Sequence, residues 1–239
     1  MTTLVVVLLG IMFVSVVVSA VLYARQQAAQ HRAAKIKALL QRRQDYENAV
    51  ALILQVDDRA DIAVAMTIAL IEIQKELISL GLPGALQQLE DLKGQLHALE
   101  EGRLRPSGER VMHSDGQMRA ALEGLRTLGN KLLRLKLRAR LSAEAYQQQL
   151  EHLEQLKLTV QIRSHEYHAD QLLQADKRRE AIGQLKKARD VYKRSSLGTT
   201  EKNEAVRRLT DQIKAAESTQ SSTTSNTKPE ADDDELDIE

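Results

Sequence analysis

Residues 4–23, LVVVLLGIMFVSVVVSAVLY, are 20 successive positions without a charge. As a helix rising ~1.5 Å per residue, that length crosses a hydrocarbon core of about 30 Å. No other feature restricts the folding of this chain as much. Gly10, Ser15 and Ser19 do not interrupt such a helix, because small polar groups bond back to its own carbonyls. The run reads either as a retained membrane anchor or as a secretory signal peptide cut after Val18-Ser19-Ala20, where small residues resemble a cleavage site.

Charge separates the two readings. A signal peptide has a positive segment before its apolar run, but Met1-Thr2-Thr3 has no charged side chain, and Arg25, Arg32, Lys35, Lys37, Arg42 and Arg43 all follow the run. No Asp or Glu occurs in residues 1–44. A run of 20 also exceeds the usual signal core of roughly 7 to 15 residues. Lys and Arg flanking a membrane segment are retained on the cytoplasmic side. The expectation is a single-pass protein of the inner (plasma) membrane, N-terminus out, with most of the chain cytoplasmic. The same six cations are also placed to touch anionic lipid headgroups, each contributing about 1 kcal/mol near the surface.

Beyond the run, the composition is that of an all-α protein. Leu, Ala, Gln, Glu, Lys and Arg dominate, and there are three Pro (Pro83, Pro106, Pro229), one Phe and no Trp. With 34 basic and 33 acidic side chains no overall field points to nucleic acid as a partner. The absence of Cys excludes disulfide frameworks, thiolate nucleophiles and Cys-ligated zinc.

Periodicity divides the chain into an anchor (1–24), a basic helical stalk (25–56), a helical hairpin (57–101), a linker (102–115), a helical bundle (116–217) and a disordered tail (218–239). Ile36, Leu39, Leu40, Tyr46, Val50, Ile53 and Leu54 continue the anchor helix to about Val56, and Asp57-Asp58 offers an N-cap for the next helix. That helix holds IAVAMTIALIEI, residues 62–73, which is too short to span a bilayer and reads as buried. LGLPG at 80–84 ends it, and Leu86, Leu89, Leu92, Leu96 and Leu99 form the stripe of a third helix. Gly102, Pro106, Ser107 and Gly108 then break helical structure.

Ser114 with Gln117 resembles a capping box, and Met118, Leu122, Leu125, Leu132 and Leu135 mark an amphipathic helix running to about Leu141. Ser142 caps the next, whose Tyr146, Leu150, Leu153, Leu156, Val160 and Tyr167 lie near a heptad seam. In residues 162–193, Ala169, Leu172, Ala181, Leu185 and Ala188 occupy the small and large positions of two closely packed helices. This segment resembles a single tetratricopeptide (TPR) unit, without its early aromatic and closing Pro. The resemblance implies a TPR-like hairpin inside a bundle and a role in binding a peptide or partner helix, with no catalysis. A last helix at about 200–217 leads into the Ser/Thr-rich and acidic tail, whose final ten residues carry seven acids around Leu236 and Ile238. Those two apolar residues make a candidate docking motif.

Few residues suggest chemistry. His165 and His168 are the one histidine pair near ligand spacing and share a helix face, with His152 further back on the same helix, but HEYH is not HExxH. They are weak metal candidates, and a metal-binding or enzymatic role through them is the minor reading. Arg126, Lys131, Arg134, Lys136, Arg138 and Arg140 follow one another without an acid. Leucines between them suggest a charged helix face paired with Glu144, Glu151 or Glu154, with lipid or phosphate contact as the alternative. No phosphate-binding Gly loop or nucleophile elbow occurs. The sequence therefore points to a non-enzymatic, cofactor-free membrane-anchored scaffold or adaptor that binds protein partners or itself through helices. The alternative is an exported helical chaperone or structural protein released from a cut signal peptide.

Overall fold

The structure is a computed structural model that describes residues 2–195 and 198–224, with side chains described for 18–195 and 198–218. The protein is all-α. Among the described residues there are seven helices and no strand: α1 Thr2–Val56, α2 Asp61–Ser79, α3 Ala85–Glu100, α4 Asp115–Leu137, α5 Ala143–Gln174, α6 Arg178–Arg194 and α7 Thr199–Thr224. Among those residues no helix is long and apolar enough to cross a membrane. Most of the expected anchor, up to Val17, has side chains outside the described residues.

The chain divides into two compact units, one of residues 1–54 and 59–106, the other of residues 55–58 and 107–239. In the first unit α2 packs on α3. Ile62, Ala63, Met66, Leu70, Ile73 and Leu77 of α2 are buried, as the apolar run at 62–73 requires, while Leu86 in the first turn of α3 is 68% exposed and departs from the expected stripe. Gln74 crosses the hairpin, its side-chain amide donating to the Ala85 carbonyl at 2.8 Å.

LGLPG terminates α2 by a Schellman motif. The Gly81 N–H donates to the Ile78 carbonyl and the Leu82 N–H to the Leu77 carbonyl, with Gly81 left-handed at φ +68°. Arg32 of α1 then donates from Nε to the Leu80 carbonyl at 2.9 Å, a cation at the negative end of α2.

The proposed Asp57-Asp58 cap does not form. α2 starts at Asp61 with Ala60 as N-cap and no side-chain cap bond. Both aspartates instead turn to partners within the second unit.

In that unit α4 packs on α5, α5 on α6 and α6 on α7. Ser114 and Ser142 cap α4 and α5, their hydroxyls accepting from the Gln117 and Ala145 N–H groups at 3.2 and 3.0 Å. Residues 162–193, expected to form a TPR-like hairpin, are the distal part of the 32-residue α5 with α6, so the first helix of that pair is not a separate element. Ala169, Ala181, Leu185 and Ala188 are buried, whereas Leu172 is only half-buried. Ala169, Ile182, Leu185 and Ala188 close on Leu209, Ile213 and Ala216 of α7 in one apolar cluster.

α7 continues to Thr224, seven residues into the expected tail, because extending an existing helix is far cheaper than nucleating one. The acidic stretch with Leu236 and Ile238 lies outside the described residues.

α4 ends at Leu137, four residues before the expected Leu141. Its Schellman turn places Ala139 at φ +55°, where the Ala139 N–H donates to the Lys136 carbonyl and the Arg140 N–H to the Leu135 carbonyl. A side chain in this region costs roughly 1 kcal/mol or more relative to Gly. Ala139→Gly should therefore raise the unfolding free energy by about 1 kcal/mol. Gly81→Ala should lower it by about 1–2 kcal/mol, since its Cβ would meet Arg32 Nη2 at 2.8 Å as well as the positive φ. Urea titration followed by circular dichroism reads both.

Candidate functional site

Three groups of residues singled out by the sequence are placed differently by the structure. Of the basic residues that follow the uncharged run, Arg25, Lys35 and Lys37 are exposed, but the others have local work within the first unit. Arg32 caps α2. Arg43 pairs with Glu47 at 2.7 Å and also donates to Gln88 Oε1 on α3. Arg42 stands over the Tyr46 ring, 5.7 Å from its centroid. The stretch is thus partly a set of helix-packing residues, and only part of it faces outward.

The histidines diverge. His165, on the α6 side of α5, is bonded through Nδ1 to Gln184 Oε1 at 2.8 Å. His168 places Nδ1 3.3 Å from Asp115 Oδ1 at the start of α4. Spacing three put them on one face, yet a neighbouring helix claims each ring. His165 is buried, and desolvation pushes its pKa below the ordinary 6.5; the Gln184 bond and Asp115 oppose this, while Lys187 and His168 add to it.

His152 belongs to a third arrangement, which spacing did not reveal. Its Nε2 lies 2.8 Å from Oδ1 of Asp57, a carboxylate with no solvent exposure. Oxygens of Asp57 and Asp58 and a ring nitrogen of His152 all lie within 4.8 Å of one another. Two carboxylates and an imidazole are ligand types suited to zinc or manganese. Here, however, Arg110 already meets Asp58 at 2.8 Å, so ion pairing accounts for the charge. Burial would raise the Asp58 pKa, but the Arg110 guanidinium and hydrogen bonds from the Asp58 backbone, Arg110 and Asp57 hold it below the ordinary 3.8. Around this network Ser107 Oγ donates to the Gln55 carbonyl at 2.6 Å, and the Glu109 N–H donates to the same carbonyl at 2.7 Å. The only sequence signal was the Asp57-Asp58 pair, and it was equally consistent with a helix cap.

This unit has an open groove of about 1370 Å³, lined by α4, α5 and the α6–α7 connection. Leu122, Leu150 and Leu158 supply its apolar lining. Arg119, Arg126, Lys157 and Arg194 alternate around it with Glu123, Glu151, Glu154 and Glu201. It is larger than a typical small-ligand pocket of roughly 300–1,000 Å³. A lining that combines leucines with charges of both signs suits an amphipathic helix.

Of the six cations expected on one helix face, Arg126 borders this groove and lies 3.9 Å from Glu123. Lys136 stands over the Tyr146 ring at 4.7 Å, Lys131 and Arg140 each have interactions of their own, and Arg134 and Arg138 are exposed. Glu151 and Glu154, suggested as partners for these cations, bond on their own helix to Gln147 and Lys157.

No family model, curated protein or solved structure matches this chain.

Two measurements probe the polar networks. Asp57→Ala should cost about 2 kcal/mol of stability by leaving His152 without its carboxylate, read by urea unfolding at neutral pH. For His165, an unfolded chain binds a proton near pH 6.5 that the folded chain resists. Stability should therefore fall as pH drops below 6.5 and level off below the depressed folded value. His165→Gln should flatten that part of the stability–pH curve.

Proposed function

We propose that this protein is a membrane-tethered, non-enzymatic helical scaffold that holds a partner helix in the α4–α5 groove. The observation that carries the reading is the continuity of α1: the 20-residue uncharged run and its basic flank belong to the same helix as the stalk. Cations following such a run favour retention of that side in the cytoplasm. Tethering confines the groove to two dimensions and raises its effective concentration toward partners at the same membrane. The groove's combination of leucines with charges of both signs supports helix binding over catalysis.

A reporter active only in the cytoplasm, fused after Glu239, should be active, and the protein should stay in the membrane on alkaline extraction. For the groove, photo-cross-linkers at Leu122 and Leu158 should trap one partner from intact membranes. Leu150→Glu should lower that yield about tenfold with the helical circular dichroism unchanged. Equal yield would remove the groove from the proposal.

Val18-Ser19-Ala20 favours one other reading, an exported helical protein released by cleavage. A mature N-terminus at Val21 would establish it and displace the anchor.

A further inference from the structure

The end of α4 carries an exposed stripe that neither the bundle core nor the groove uses. Leu128, Leu132 and Leu135 are 0%, 0% and 4% exposed, so the core-facing side of the helix is occupied. Leu133 and Leu137, four residues apart and therefore neighbours on one face, are 39% and 76% exposed. Arg134 and Arg138, each one position further on, are exposed beside them. No acid occurs between Glu123 and Glu144. A single exposed leucine means little, but two in line with two arginines make an amphipathic, cationic surface.

The placement of this stripe limits what can cover it. Within the unit α4 packs on α5, and α6 ends at Arg194 beside Gln155, Leu158 and Gln161 of α5 in the groove lining. The α4–α5 turn therefore extends past the end of α6 as a two-helix tip. A projecting tip suits a broad surface better than it suits an enclosed peptide.

The acidic residues 230–239 of the same chain are the charge-complementary rival. Helix directions carry their point of attachment away from the stripe. Only four residues join α6 to α7, Lys202 Nζ donates to the Ser195 carbonyl at the end of α6, and Leu209, Ile213 and Ala216 pack against Ile182, Leu185 and Ala188, so α7 folds back along α6 toward the α5–α6 turn, away from the stripe. Thr224 lies toward the α5–α6 turn while the stripe lies beside Tyr146 near the start of α5, so residues 230–239 meet it only with the connecting chain almost fully extended, at a high cost in chain entropy. Residues 225–239 span at most about 50 Å fully extended.

We propose that the α4–α5 tip is a second membrane contact, docking on an anionic bilayer surface. Leu133 and Leu137 enter the headgroup–acyl boundary, while Arg134 and Arg138 meet lipid phosphates. Anionic lipid supplies the complementary charge, the apolar boundary takes the leucines, and the contact weakens with salt as surface electrostatics do. This inference goes beyond the anchor reading and is tested separately from it.

The chain has no Cys, so one introduced thiol can carry a fluorophore at a chosen place. Full-length protein with Leu137→Cys, labelled with an environment-sensitive dye, is reconstituted into vesicles of phosphatidylcholine alone or mixed with phosphatidylglycerol. Brominated lipid serves as the quencher. The dye should be quenched in the anionic vesicles at low salt, and released in neutral vesicles or at high salt. R134Q with R138Q should weaken this contact about thirtyfold.

Equal quenching in both vesicle types, or none in either, overturns the proposal. So does protection of the dye that disappears on deleting residues 230–239, because it assigns the stripe to the acidic segment, of a second copy if the protection depends on protein concentration and of the same chain if it does not. A label at Val18→Cys reports insertion of the apolar run whatever the headgroup charge. Failure there with a salt-sensitive signal at position 137 would end the anchor reading and leave the tip contact standing.

Discussion

The second unit depends on α5 burying residues toward two neighbours at once. Leu153 faces α4, where it lies 3.6 Å from the position a Cβ on Gly129 would take. Further along, Ala169 sits in the cluster made with α6 and α7. A helix with partners on two sides cannot show one clean apolar stripe, so Leu153, Leu156, Val160, Ile162 and Ala169 do not follow a single line. At the distal contact alanine supplies the surface: Ala169, Ala181 and Ala188 are fully buried, and small side chains let helix axes approach closely. α4 and α6 are held by this one helix, and α7 is held through α6.

Polar groups then select one register among the many that apolar packing alone would allow. The Met112 N–H, in the irregular stretch before α4, donates to buried Ser164 Oγ on α5 at 2.9 Å. His165 meets Gln184 on α6, and Asp57 meets His152. Each of these groups would be costly to bury without its partner, so sliding a helix by a turn would leave several unsatisfied together. Such groups add modestly to stability when paired and exclude alternatives strongly when not.

The overall class and most element positions were legible in the sequence. Helix-forming composition, the serine caps at Ser114 and Ser142 and the LGLPG stop are local signals, and local chemistry decides them. Errors arose where a residue's role is set by something distant. Asp57-Asp58 looked like a cap because caps are judged from neighbours in sequence, whereas their partners are His152 and Arg110. His165 and His168 looked paired because spacing three places them on one face, but helices on different sides of α5 claim them. The groove had no sequence signal, since Leu122 and Leu150 read as core residues of their own stripes and Leu158 belonged to neither.

By itself the sequence determined that the chain is helical, where most helices begin and end, and where uncharged and basic segments follow one another. Those properties depend on backbone propensity and on side chains a few residues apart. Only the tertiary structure decided which cations are committed to helix ends and carboxylates and which face outward. Arg32 and Arg43 were indistinguishable from Lys35 and Lys37 in the sequence. What separates them is the direction each side chain takes from its helix and what stands opposite, and that is settled only when the helices pack.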